Sequence, residues 1–139
     1  MTMDMTLAGI AALVVLVLVV FAAGVARRKP KDLQGPYFQQ KWQELQAHCK
    51  DKSTWPLAVI NADKLLDEAL KRRRFKGKTM GERMVAAQRD LSDNDGVWFA
   101  HKLRNRLVHE TDVKLKEADV KKALIGTRQA LKDLGATLK

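Results

Sequence analysis

A chain of 139 residues has room for one small domain and an appendage. Its 26 Lys and Arg against 16 Asp and Glu give a formal +10, a balance that argues against cationic substrates and for nucleic acid or an anionic membrane surface. The lone Cys49 excludes an intrachain disulfide and agrees with a reducing compartment.

The first predicted element is the appendage. Leu7 to Ala26 is twenty residues without a charge or a strongly polar side chain. As a helix it is roughly 30 Å long, the thickness of a bilayer's hydrocarbon core. A buried core helix of that length carries a polar stripe, and this one has none, so the segment reads as a single transmembrane helix. A cleaved signal peptide would open with basic residues and carry a shorter apolar stretch. Residues 1–6 contain Asp4 and no base, which favours an anchor. Arg27, Arg28, Lys29 and Lys31 follow directly, and positive flanks stay on the cytoplasmic side. The expectation is a single-pass cell-membrane protein with its N-terminus outside. Residues 27–139 then hold all 26 cations and 15 of the acids, a net +11 in the cytoplasm.

Residues 27–36 read as a short basic linker punctuated by Pro30, Gly35 and Pro36. Residues 37–139 read as an all-α bundle of four or five helices. Tyr37 to about Asp51 places Tyr37, Phe38, Trp42 and Leu45 near one stripe. Cys49 beside His48 is a poor nucleophile, because adjacent helical residues point about 100° apart. Ser53 or Thr54 is positioned to cap a second helix, with Pro56 in its first turn and its end near Phe75. Thr79-Met80-Gly81-Glu82 is a capping-box pattern that opens a third helix to about Leu91. Val97 to Glu110 is the fourth, and about Lys116 to Leu134 the fifth, ending near Gly135. Period-two runs and hairpin turns are missing from the sequence. Trp42, Trp55 and Trp98 are most simply core anchors.

The fourth predicted helix carries Arg104-Asn105-Arg106-Leu107-Val108-His109. With His101 at zero on a helical wheel, Asn105 falls at about 40° and His109 at about 80°. Arg104 falls at about −60°, among Ala100, Leu103, Leu107 and Val108. A guanidinium there must be paired, reach outward along its stem, or face a protein interface. Arginine offers a fixed fork of donors for phosphate oxygens, and histidine suits proton transfer near neutral pH. The unspecialised alternatives are that Arg104 pairs with Asp63 or Asp67, that His109 serves a helix C-terminus, and that Asn105 is solvated.

Arg104, Asn105 and His109 resemble the R-x4-6-H signature of HEPN domains, small helical bundles of which many are metal-independent ribonucleases. The resemblance implies catalytic roles for Arg104, Asn105 and His109, with no cofactor and no metal. Arg104 would bind phosphate, Asn105 would orient, and His109 would move protons. One chain supplies one motif histidine, whereas the chemistry wants an acid and a base. The family's composite sites imply a homodimer. Many HEPN domains instead act as non-enzymatic interaction or nucleotide-binding modules. The tyrosine that one antitoxin-controlled subgroup carries two residues past the histidine is Thr111 here.

Lys71, Arg72, Arg73, Arg74, Lys76 and Lys78 form the densest basic run, a candidate contact for RNA or anionic lipid headgroups. Cations also belong at a helix C-terminus, and Asp67/Lys71 and Glu68/Arg72 are favourable i,i+4 pairs. Gly77-Lys78-Thr79 lacks the glycine pattern and strand of a phosphate-binding loop. His101 and His109 lie about 12 Å apart along the helix axis, too far for one metal ion.

Overall fold

The computed structural model describes residues 2–26, 33 and 35–139. The described residues are helices and turns without a strand, as the hydrophobic periodicity predicts. Arg27, Arg28, Lys29, Lys31 and most of the predicted linker lie outside the described residues. Leu33, placed in that linker by the sequence, is fully buried in the bundle core.

Helix α1, Thr2–Ala26, contains a stretch, Met3–Gly24, long and apolar enough to cross a membrane. Its described side chains are exposed, so no protein core accounts for their apolar character. Helix α2, Pro36–Ala47, starts with proline where a missing N–H costs nothing. It buries Phe38, Trp42 and Leu45 on one stripe. The predicted continuation to Asp51 breaks into two 3-10 turns, His48–Lys50 and Lys52–Thr54. Asp51 is extended between them and accepts the Ser53 amide at 2.9 Å. That geometry redirects the predicted cap. The Thr54 hydroxyl donates to the His48 carbonyl at 2.7 Å and does not cap the next helix.

Helix α3, Trp55–Arg72, is the central element and touches every other helix of the bundle. It buries Ala58, Val59, Ala62, Leu65, Leu66, Ala69 and Leu70, with Asp63 as the one acid among them. It stops short of the predicted Phe75, because Arg74 takes a left-handed φ of 60°. Helix α4, Met80–Ala87, forms half of the predicted capping box: Thr79 accepts the Glu82 amide, while Glu82 reaches one residue past the cap to the Lys78 amide. It ends before the predicted Leu91. Helix α5, Asn94–His109, begins earlier than predicted because Asp93 caps it, accepting the Gly96 amide at 2.9 Å. Helix α6, Glu117–Leu134, ends at Gly135 in the left-handed conformation, as its sequence predicts.

Specific contacts set the helix directions. Tyr37, at the start of α2, donates to Glu68 near the end of α3. Arg73, just past α3, donates to the carbonyl of Leu134 at the end of α6. Ser92, just before α5, donates to Asp133 near the end of α6. The start of α2, the end of α3, the start of α5 and the end of α6 therefore share one end of the bundle. The opposite end holds the start of α3 and the end of α5, where Trp55 and Leu107 join one satellite core of Val59, Ala100, Leu103, Val120 and Ala123. Lys52, Pro56 and Val113–Leu115 line a cavity of about 390 Å³ at that opposite end.

Candidate functional site

Helix α5 is held tightly before any of its polar residues matter. Val97, Ala100 and Leu103 are buried, and Gly96 meets Gly126 of α6 so closely that a Cβ on Gly126 would stand 2.6 Å from the Gly96 carbonyl carbon. This close approach fixes the rotation of α5 and so the direction of its next stripe: Trp98, His101, Arg104, Asn105 and Val108. That stripe faces α3 at its inner edge and solvent at its outer one.

Asp63 is the centre of the arrangement. It is 5% exposed, and a buried carboxylate needs partners. His101 supplies one, with Nδ1 at 2.9 Å from Oδ1. Against a carboxylate that only accepts, this contact takes a ring proton on Nδ1. The edge of Trp98 packs against the His101 ring at 6.0 Å between centroids. Arg104 supplies the second partner, its Nε at 3.5 Å from Oδ2. That distance is an ion pair without hydrogen-bond geometry, and the buried Nε has no hydrogen-bond partner. The guanidinium is fixed a second time by Asn105, whose Oδ1 accepts from Nη1 at 2.9 Å. Among the described residues its Nη2 makes no hydrogen bond.

Of the two acids predicted to pair with Arg104, Asp63 does so. Asp67 is engaged elsewhere, by a two-pronged bond from the buried Arg83 of α4 at 2.8 and 3.0 Å. Arg104 and Asn105 are brought together. His109, one turn after Asn105 on the same face, shares no hydrogen bond or ion pair with either and is exposed at the last residue of α5, where a helix C-terminus favours a cation. The site contains two residues that the sequence analysis weighed only in passing, His101 and Asp63. His101 lies three and four residues before Arg104 and Asn105, the spacing of one helix face. Asp63 is an acid inside the apolar stripe of α3, a position that requires a partner.

The basic run divides. Lys71 pairs with Asp67 at 3.1 Å, and Arg72 pairs with Glu68 at 2.7 Å while lying over the Tyr37 ring. Arg73 caps the Leu134 carbonyl at 2.6 Å. Arg74, Lys76 and Lys78 are exposed and carry no ion pair among the described residues. Gly77 lets this loop turn beneath α4, since a Cβ there would stand 2.7 Å from the Arg83 amide nitrogen. Burial pushes the Cys49 thiol up, which leaves it protonated and consistent with a poor nucleophile. Among the described residues no three His, Cys, Asp or Glu side chains converge to hold a metal ion. No protein-family model, curated protein or solved structure matches this chain.

Proposed function

We propose that residues 33–139 form a HEPN-like domain, tethered to the cytoplasmic face of a membrane by α1, that cleaves RNA without a metal across two copies of α5. The observation that carries this reading is the state of Arg104. Asp63 and Asn105 hold its guanidinium from two sides, and Nη2, without a hydrogen bond among the described residues, is the donor assigned to a ligand. A fork pre-set in this way suits a phosphate, because little side-chain freedom remains to be lost on binding.

The chemistry then follows from the residue types. One histidine removes the proton of a ribose 2′-hydroxyl, and the 2′-oxygen attacks phosphorus. The bond to the 5′-oxygen breaks as a second histidine protonates it, leaving a 2′,3′-cyclic phosphate and a 5′-hydroxyl. Arg104 stabilises charge on the phosphoryl oxygens. Within one chain His109 is exposed and alone, so the second proton carrier comes from His109 of a second copy. Val108, 49% exposed between these residues, is the apolar contact available for that pairing. Tethering both copies in one bilayer raises their effective concentration.

The ion pair of Arg104 with Asp63 favours a second reading, a non-enzymatic module of the same fold that recruits a partner to the membrane. Full-length chain in mild detergent separates the two. The enzyme reading predicts a dimer and RNA products ending in 2′,3′-cyclic phosphate. A dimer without turnover leaves the module, and a monomer that cleaves RNA contradicts the composite site.

A further inference from the structure

We infer that the loop carrying Arg74, Lys76 and Lys78 lies on the anionic surface of the bilayer and sets the domain's orientation there. This rests on the reading of α1 as a membrane span. The argument starts from where the chain enters the bundle. Leu33 is buried in the core, and α2 begins at Pro36. The seven residues from Ala26 to Leu33 reach at most about 25 Å when fully extended. The bundle is therefore held close to the bilayer by the end at which α2 starts.

The basic loop is at that same end. Tyr37, the second residue of α2, donates to Glu68 at 2.9 Å and lies 4.6 Å from the Arg72 guanidinium. The loop follows Arg72 directly and is tied down along its length. The Phe75 amide bonds the Leu70 carbonyl at 3.1 Å, and the Lys78 amide bonds Glu82. Arg73 and Phe75 pack together at 5.5 Å. Nearby acids are already engaged: Asp67 by Arg83 and Lys71, Glu68 by Arg72 and Tyr37, and Glu82 by the cap. Among the described residues Arg74, Lys76 and Lys78 carry no ion pair, and the loop that bears them is held in place. A leaflet of anionic lipid attracts such cations within about one Debye length, roughly 8 Å at physiological salt.

The alternative use of this run, tracking an RNA bound at α5, is disfavoured by the same geometry. Arg104 meets Asp63, nine residues before the end of α3, a separation of roughly 13 Å along the axis from Arg72. His109 lies farther still, at the end of the bundle that holds Trp55 and the exposed Lys52 and Lys114. Charge alone does not choose between the ends, since both carry exposed cations. Position relative to the chain's entry does.

The test uses the full chain with Cys49→Ser and a fluorophore on Lys76→Cys, reconstituted in nanodiscs of phosphatidylcholine with or without phosphatidylserine. A quencher is attached to the lipid headgroups, and Lys114→Cys serves as the distal comparison. The expected result is several-fold stronger quenching at 76 than at 114 in phosphatidylserine discs. High salt, discs of phosphatidylcholine alone, or Arg74→Glu with Lys78→Glu should each remove the difference. Equal quenching at the two positions, or indifference to phosphatidylserine and salt, overturns the inference. So does protection of the 76 probe by single-stranded RNA in uncharged discs, which would assign the loop to RNA. Release of the chain from vesicles by alkaline carbonate instead removes the membrane span itself, and the inference falls with it.

Discussion

Asp63 decides what Arg104 is. Without it, a guanidinium on the inner flank of α5 would need either a solvent path or a partner subunit. With it, the arginine has an ion-pair partner beside its bond to Asn105, which suits phosphate binding as well as it suits structure. Replacing Asp63 by Ala leaves His101 and Arg104 facing an empty carboxylate site. Complete burial of such a broken pair costs about 3–5 kcal/mol. Arg104 is 29% exposed and partly solvated, so about 2–3 kcal/mol is the expected loss, read by urea unfolding of the full chain in mild detergent. An unchanged midpoint would mean that the three groups do not act together. The sequence named Asp63 as one of two acids within reach, and wheel geometry placed Arg104 beside apolar neighbours. It did not bring His101 into the group, because that pairing depends on which face α3 turns toward α5, and periodicity along either helix is silent on that.

Helix count, order and most starts were legible because caps and apolar stripes are local. The ends were less so. Helix α3 stops at Arg72, since Arg74 turns left-handed, and α4 stops at Ala87 although Leu91 keeps the helical spacing of Met84 and Ala87. Both endings are imposed by packing between elements. The contact of α5 with α6 is the clearest case. Gly126 sits mid-helix, where glycine costs about 1 kcal/mol relative to alanine, and only the close approach of Gly96 justifies it. Gly126→Ala should therefore destabilise by about 1–3 kcal/mol, against the helix-propensity gain, as a lowered unfolding midpoint of the full chain. A raised midpoint would show that the helices separate freely.

The junction of α2 with α3 has its own reporter, the single tyrosine. The hydrogen bond from Tyr37 to Glu68, followed by burial and the Glu68 charge, raises its phenol above the ordinary 10.0. The folded state thus favours the neutral phenol. That contribution is complete below pH 10.0 and fades as pH rises through the raised value. In ultraviolet titration, phenolate absorbance should appear at higher pH in the wild type than in Glu68→Ala. Coincident curves would mean that the bond does not form in solution.

At the scale of the whole molecule, the antiparallel packing gives the bundle two distinct ends. The end nearest the chain's entry carries Arg74, Lys76 and Lys78. The other end carries His109, with Arg104 and Asn105 between. A long apolar helix, a helical bundle and a basic run were each legible in the sequence, while the packing of the bundle was not, because it depends on contacts between residues far apart in the chain, such as Ser92 with Asp133. The central claim is that the outer face of α5 cleaves RNA by proton transfer through His109. The most direct measurement is the rate of single-stranded RNA cleavage by the full chain in nanodiscs with chelator present, wild type against His109→Ala. The account predicts cleavage by the wild type and a loss of about 100-fold or more in the variant. An inert wild type, or a variant as fast as the wild type, would contradict it.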